Sequence, residues 1–494
     1  MSPPLVGAQR LAARVLLRRV RVRVPPAAVP GASGIADNLG RRVTIPPPFR
    51  YEGFQLDPAS GLLTCRYSLG AATFAERVSF GAGGRWDDPA VGEAARLVFL
   101  LAGVSYYKAA APPVIDLGQT AVSDAERGFL RAFYLDGLGE YAYRNGLDLS
   151  RLRIEGPVRA GSAVCRAAAD RGSDAGRPLV PFGGGIDSIV TVEMVRRRAE
   201  PALFIVSRPG DRFAAIERPA AVTGLPIVRA EREIDPQLSE DARLPVPRFL
   251  NGHVPVTGIL SAIAVMAAVL SGRDAVVMSN EWSASIPTLE AGGRSINHQY
   301  SKSAAFEAGF RTVLDGLFAG ELSYFSALRP RTELWVAQRF AALTSYHDTF
   351  HSCNRAFYID PANRLDYWCG TCDKCCFIDL ILAPFLPAAD LDRIFGGRQP
   401  LSDAAASALV AGRFRTLLGI SPDSKPFECV GDVGECRAAA LLAARRPDRS
   451  GATLLQELAG ELRALPDVPA AAELLRPVGE HFIPGAYAAE DLLV

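Results

Sequence analysis

The chain has 494 residues, 49% of them hydrophobic and 22% charged, with 54 Lys and Arg against 53 Asp and Glu and a net charge of +1. That length exceeds what one hydrophobic core usually serves, so two or three domains are expected. The even balance of charge leaves no global field for nucleic acid, and the composition is that of an ordinary globular chain.

The N-terminal stretch "RLAARVLLRRVRVRVPPAAVPGASG" is rich in Arg, Pro and Ala and almost free of acids. It has no long apolar core, so it is not a secretory signal. Its composition is somewhat like an organellar transit peptide, but residues 1–48 are predicted to be a disordered extension or the product of a misplaced start codon. With no secretion signal, the nine cysteines belong to a reducing, cytoplasmic compartment. There, clustered cysteines point to metal or catalysis rather than disulfides.

From Phe49 the pattern becomes regular. "FQLDPASGLLTCRYSL" reads as two strands about a turn and "TFAERVSF" as a third. "VGEAARLVFLLAGVSYY" has helical periodicity. Ser123 and Glu126 form a capping-box pattern at the start of a second helix that stops near Gly146. Residues 49–170 are therefore expected to form an α+β domain, followed by a linker in "ADRGSDAGRP", 169–178. From Leu179 on, apolar strands alternate with helices: "LVPF", "ALFIVS", "PIVRAE", "DAVVMSN" and "LSYFSAL" are the strands. Such alternation predicts an α/β unit over 178–390, a parallel sheet covered on both faces. The longest apolar helix candidate, 257–270, is too short to span a bilayer, which takes ~20 residues. Residues 391–494 read as helical and Ala-rich.

Between the strand "LVPF" and its helix lies "GGGIDS". Bare backbone at a helix start lets N–H groups approach a phosphate, with the helix dipole behind them. No Gly-Lys-Ser/Thr follows, so this is not a Walker A loop, and the dinucleotide-binding glycine spacing is missing. What remains, Gly-Gly-x-Asp-Ser, resembles the PP-loop of the N-type ATP pyrophosphatases, usually Ser-Gly-Gly-x-Asp-Ser. Those enzymes split ATP between its α- and β-phosphates and attach AMP to a substrate oxygen. The resemblance implies that Gly183, Gly184 and Gly185 face the pyrophosphate, that Ser188 donates to it and that Asp187 holds Mg²⁺. The position of the first Ser is Gly183 here, so one side-chain donor is missing. The alternative is a tight turn with no ligand.

Farther on, "SCNRAFYIDPANRLDYWCGTCDKCC" supplies Cys353, Cys369, Cys372 and Cys375. Four thiolates at that spacing fit a tetrahedral structural Zn²⁺ site. Cys376 is left to point elsewhere. An iron–sulfur cluster and a set of buried free thiols are the alternatives. Cys353 could instead be a thiol base of the kind racemases use. A similar arrangement, Ser-Cys followed by Cys-Gly-x-Cys, binds zinc in the PP-loop enzymes that build 7-cyano-7-deazaguanine.

"LLAGVSYYKAAAPP", "YLDGLGEYAYRNGLDL", "NGHVPVTGILSAIAVMAA", "SNEWSAS", "NHQYSKSAAFE", "SCNRAF", "WCGTCDKC" and "KPFECVG" occur in that order. Together with the glycine loop they resemble the UDP-N-acetylmuramoyl-L-alanyl-L-glutamate epimerase family, from about Phe49 to Glu435. The family's loop carries Lys where this chain has Ile186; other PP-loop enzymes carry Ile there. The resemblance implies a bacterial cytoplasmic step of peptidoglycan synthesis. The terminal L-Glu of UDP-MurNAc-L-Ala-L-Glu becomes D-Glu as ATP, with Mg²⁺, becomes AMP and pyrophosphate. A dedicated ligase that adds L-Glu would supply the substrate, and neither nucleic acid nor membrane is a partner. Rival readings are another PP-loop enzyme acting on a nucleobase, a tRNA or a carboxylate for thiolation or amidation, and a catalytically silent zinc-dependent scaffold.

Epimerisation needs a base and an acid about the α-carbon. His253, at a helix entrance, and His298 are candidates, with Lys302 four residues on and expected to share a helical face with His298. Asn280 and Glu281 follow a strand at the expected carboxyl edge of the sheet, where α/β sheets bind ligands. Glu281 is a candidate second Mg²⁺ ligand or base; Ser283 and Ser285 read as turn residues. His347 and His351 read as neighbours of the metal site or surface groups, and His481 as structural. Tyr106, Tyr107, Lys108 and Tyr141 to Asn145 read as core tyrosines with solvated charges or as a substrate-binding face, with Lys108 or Arg144 on a diphosphate or carboxylate.

Overall fold

The computed structural model describes residues 47–159, 176–244, 248–402, 404–421, 428 and 430–487. The Arg/Pro-rich extension up to residue 46 and the linker tract over 169–175 lie outside the described residues.

Strands β1 (Phe49–Asp57), β2 (Leu62–Leu69) and β3 (Ala72–Ser79) form an antiparallel meander. Their period-two alternation buries Phe49, Tyr51, Leu63, Cys65, Tyr67, Phe74 and Val78 on one face. Strands β4 (Val114–Asp116) and β5 (Arg153–Glu155) extend the outer edge in parallel. Strands β6 (Pro178–Pro181), β7 (Ala202–Ser207), β8 (Ile227–Glu233) and β9 (Ala275–Met278) are parallel. After a small hairpin of β10 (Leu289–Ala291) and β11 (Arg294–Ile296), β12 (Ser323–Ser326) joins β9 in parallel.

The order is β12-β9-β6-β7-β8-β3-β2-β1-β4-β5, a single sheet of ten strands. The expected boundary near 170–178 thus falls between two halves of one sheet, joined where β3 pairs antiparallel with β8. At that seam the buried Arg232 donates to Glu76 over 2.8 and 3.1 Å and to Ser105 over 3.0 Å.

Residues of the parallel strands alternate between two cores. Leu179, Phe204, Val276 and Tyr324 pack with the meander and with the helices Ala90–Ala102, Asp124–Gly137, Val256–Leu270 and Ala304–Phe318. Val180, Leu203, Val277 and Phe325 pack with the helices Ile186–Val195, Glu333–Ala341 and Asp373–Leu382 and with the C-terminal helices. Burial on both faces is what makes these strands continuously apolar in sequence.

Some helix expectations change. The first helix breaks at Gly103, where a Cβ would lie 2.4 Å from the Tyr51 hydroxyl. The Ser123–Glu126 capping box forms, but its helix divides at Leu138 into Asp124–Gly137 and Gly139–Asn145. Taken across the break at Gly103, Ala90–Tyr107 is an apolar helical stretch of 18 residues, 89% of them buried against the chain itself, and Val256–Leu270 is an unbroken apolar helix of 15 residues. Lys302 lies in a short 3-10 turn, because Ser303 caps the following helix by accepting from Phe306 N. It therefore does not share a helical face with His298.

Candidate active site

The glycine loop joins β6 to the helix Ile186–Val195, and Gly185 is the residue before the first helical turn. Its glycines serve different ends. Gly184 has φ +75°, and a Cβ on it would stand 2.3 Å from the Ala215 carbonyl oxygen, so the fold itself requires glycine there. A Cβ on Gly183 would meet nothing within 4 Å, so bare backbone faces open space. Ser188 Oγ donates to the Gly185 carbonyl over 3.0 Å, within its own helix start.

Asp187 lies in the first turn of that helix. Glu281 lies just past β9, and Glu333 opens the helix that follows β12. Because β12, β9 and β6 are neighbours, their carboxyl ends bring the three carboxylates together, with one oxygen of each within 4.8 Å of the others. The Ser326 hydroxyl holds this edge by accepting from Asn280 N and donating to Asn280 O, both over 2.7 Å. Arg329, bound to Glu307 over 2.9 Å, donates to the Glu281 carbonyl over 2.9 Å. Both Asn280 and Glu281 are buried. Ser283 lies in a 3-10 turn and Ser285 accepts from Ala304 N, as turn residues should.

Glu333 is buried, and among the described residues its Oε2 has no hydrogen-bond partner. Burial first, then the charges of Asp187 and Glu281, push its carboxyl well above the usual range, while Lys374 opposes them. Three crowded carboxylates with an orphaned buried oxygen fit a divalent cation with oxygen ligands. Glu333 was not legible as a site residue: Thr332-Glu333 reads as an ordinary helix cap. The edge rule that singles out Asn280 and Glu281 would have found it, given the neighbourhood of β12 and β9.

A second group forms where His253 and His298 meet, with ring centroids 4.2 Å apart. His298 Nδ1 is 2.5 Å from Glu140 Oε2, and Arg144 Nε donates to the other Glu140 oxygen over 2.6 Å. Burial, then the neighbouring imidazole of His298, lowers His253 to about 4. Burial alone would raise the Glu140 carboxyl, but the His298 hydrogen bond and charge, with Arg144, hold it below its ordinary value. Glu140 was missed because in sequence it reads as the interior of one long helix, 158 residues from its partner. Lys302 Nζ donates to Gln299 over 3.0 Å. Lys108 Nζ donates to Asn251 and Gly252 over 2.7 and 3.2 Å and so steadies the loop that carries His253. Tyr106, Tyr107 and Tyr141 are buried core residues.

The four cysteines also converge. Cys353 and Cys372 sulfurs are 3.9 Å apart, and those of Cys369 and Cys375 are 3.7 Å apart. Four sulfurs about 2.3 Å from one centre at tetrahedral angles stand about 3.8 Å apart, so the set can hold a metal. Cys372 also caps the helix Asp373–Leu382. Cys376 is buried in that helix outside the group, and all seven described cysteines are free thiols. His351 packs on Trp368, its Nε2 buried, and His347 packs on Phe340. His481 Nδ1 accepts locally from Ile483 N over 3.3 Å.

The cysteine group adjoins the glycine loop. Ser352, next to Cys353, has its hydroxyl 3.3 Å from where a Cβ on Gly185 would stand. Lys374 acts on the charge of both Glu333 and Glu428, and His298 also acts on Glu428.

The MurL N-terminal domain model matches residues 43–327, which hold the twelve strands found among the described residues, and the MurL C-terminal domain model matches residues 349–473, which hold the four cysteines. Three relatives carry the name UDP-N-acetyl-alpha-D-muramoyl-L-alanyl-L-glutamate epimerase. The protein of Xanthomonas oryzae pv. oryzae is 39% identical over 447 residues, 89% of this chain and 95% of the relative. That of Salinispora tropica is 40% identical over 81% of this chain and 83% of the relative. That of a Micromonospora species is 37% identical over 89% of this chain and 96% of the relative. Matched along nearly its whole described length, this chain belongs to the MurL family of UDP-N-acetyl-alpha-D-muramoyl-L-alanyl-L-glutamate epimerases.

Proposed function

We propose that the protein converts the terminal L-Glu of UDP-MurNAc-L-Ala-L-Glu to D-Glu, and that it does so through adenylation of the glutamate carboxylate. The observation that carries this is the placement of Asp187, Glu281 and Glu333 beside the open backbone at Gly183, in a chain of this family. The loop acts as a PP-loop. Gly183, Gly184, Gly185 and Ser188 take the phosphates of ATP, with Asn280 at the neighbouring strand end. Asp187, Glu281 and Glu333 would hold Mg²⁺, which when bound would supply positive charge beside the phosphates.

The α-hydrogen beside a free carboxylate is barely acidic, because its removal builds a dianion. A mixed anhydride with AMP removes that obstacle, and the proton can then be taken by a side chain such as His253, His298 or Lys302. Reprotonation on the other face gives the D centre, and water cleaves the adenylate. The step is cytoplasmic, and a ligase that adds L-Glu to UDP-MurNAc-L-Ala supplies the substrate. Cys353, Cys369, Cys372 and Cys375 would hold a structural Zn²⁺.

The test is incubation with UDP-MurNAc-L-Ala-L-Glu, ATP and Mg²⁺, followed by chiral analysis of the glutamate and measurement of AMP. D-Glu with AMP and pyrophosphate is expected. Unchanged L-Glu overturns the epimerisation; D-Glu without AMP overturns the adenylation. Elemental analysis should find one zinc per chain, and iron in its place would refute the zinc assignment.

A further inference from the structure

The carboxylate cluster at Asp187, Glu281 and Glu333 fits a cation beside the nucleotide, which commits its oxygens to that task. The group at Glu140, His253 and His298 has the chemistry to take a proton from carbon. It is built from the helix Gly139–Asn145, the loop before Val256–Leu270 and the turn before Ala304–Phe318, so only the tertiary fold assembles it. Resting on the epimerase reading, we propose that His298 is the base that removes the glutamate α-proton, with Glu140 as its positioning residue.

The 2.5 Å contact at Nδ1 makes that nitrogen the donor to Glu140 and leaves the Nε2 lone pair as the acceptor. Arg144, on the other carboxylate oxygen, keeps Glu140 ionised, so the imidazolium formed on proton transfer gains a charge-assisted hydrogen bond. His253 packs against the ring at 4.2 Å and limits its rotation. The side chains of His298 and Glu140 are 12% and 6% exposed. The dyad is shielded yet reachable, and His298 and Lys374 both act on the charge of Glu428, as Lys374 does on Glu333 of the carboxylate cluster. In the proposed complex an adenylated glutamate lies with its activated carboxyl toward the carboxylate cluster and its α-carbon toward His298.

The step balances. The α-carbon–hydrogen bond breaks, the proton goes to His298 Nε2, and the electron pair moves onto the acyl oxygen. Water protonates the opposite face of the carbon, and the hydroxide left behind takes the proton back from His298. The product therefore carries a hydrogen from solvent.

The experiment uses substrate with deuterium at the glutamate α-carbon, ATP and Mg²⁺, and reads deuterium loss and AMP release separately. In H298N, and in H298Q as a second variant of equal melting temperature, deuterium loss should fall about 100-fold or more. AMP release should continue, because adenylation precedes the step and the adenylate hydrolyses back to L-Glu. E140Q should lower kcat about tenfold or more with little change in KM. Retained deuterium loss in H298N and H298Q, or AMP release lost in step with it, overturns the proposal. Deuterium loss in the native protein without AMP, abolished in H298N, sinks the adenylation reading and supports the dyad.

Discussion

Two adjacent glycines in the loop separate folding from binding. Gly184 combines a φ of +75° with a Cβ position 2.3 Å from the Ala215 carbonyl oxygen. Gly184→Ala should therefore cost at least about 1–2 kcal/mol from backbone conformation alone, more from the clash, and lower the melting temperature. Gly183 has room for a Cβ, so Gly183→Ala should leave the melting temperature unchanged. That methyl would occupy the space where a phosphate approaches, and the ATP concentration needed for AMP release should rise about tenfold. Equal thermal losses in the two variants would show that the loop is only a turn.

At the scale of the element, the helix Asp373–Leu382 ties the cysteine group to the rest. Its first turn carries Cys375, its cap is Cys372, and its far end buries Asp379. Asp379 accepts from Gln399 and from Leu401 N, each over 2.8 Å. Burial outweighs both bonds and raises its carboxyl from 3.8 to about 6. A folded-state pKa above the unfolded one means that this stability is fully present below about 3.8 and is lost as pH rises through about 6. The loss is on the order of 2–3 kcal/mol. Asp379→Asn should flatten the change in urea midpoint between pH 4 and 7 and stabilise the protein above pH 6. Its amide can donate to Gln399 Oε1, which is buried without a partner among the described residues. A variant with the native pH profile would refute this.

At the scale of the molecule, the meander and the parallel strands act as one sheet only through the β3–β8 seam. There Glu76 and Arg232 have side chains 0% and 8% exposed. Removing one partner leaves the other charge buried, so Glu76→Gln should cost about 3–5 kcal/mol in denaturant unfolding. The double change Glu76→Leu with Arg232→Met should recover most of that loss. A Glu76→Gln variant as stable as the native protein would mean that the two halves do not depend on the seam. The continuous sheet also bears on the site: helices beneath the meander carry Glu140, and the parallel strand ends carry Asp187 and Glu281.

Local pattern settled a good deal. The apolar strand runs marked β6, β7, β9 and β12, because strands buried on both faces need few polar residues; β8, beside the meander, carries Arg229, Glu231 and Arg232 and is less apolar. The glycine loop, the Ser123 cap and the cysteine spacing were legible because each is a short-range arrangement written in consecutive residues. Strand order was not, since hydrogen bonding between β9 and β12 leaves no mark in either segment. Without that order Glu333 looks like a helix-capping acid, and Glu140 like a surface charge paired with Arg144. His253 and His298 could be chosen for their chemistry, but their meeting over Glu140 depends on three elements brought together by one core. Residue type and spacing determined what chemistry the chain can offer; only packing decided which groups stand close enough to perform it.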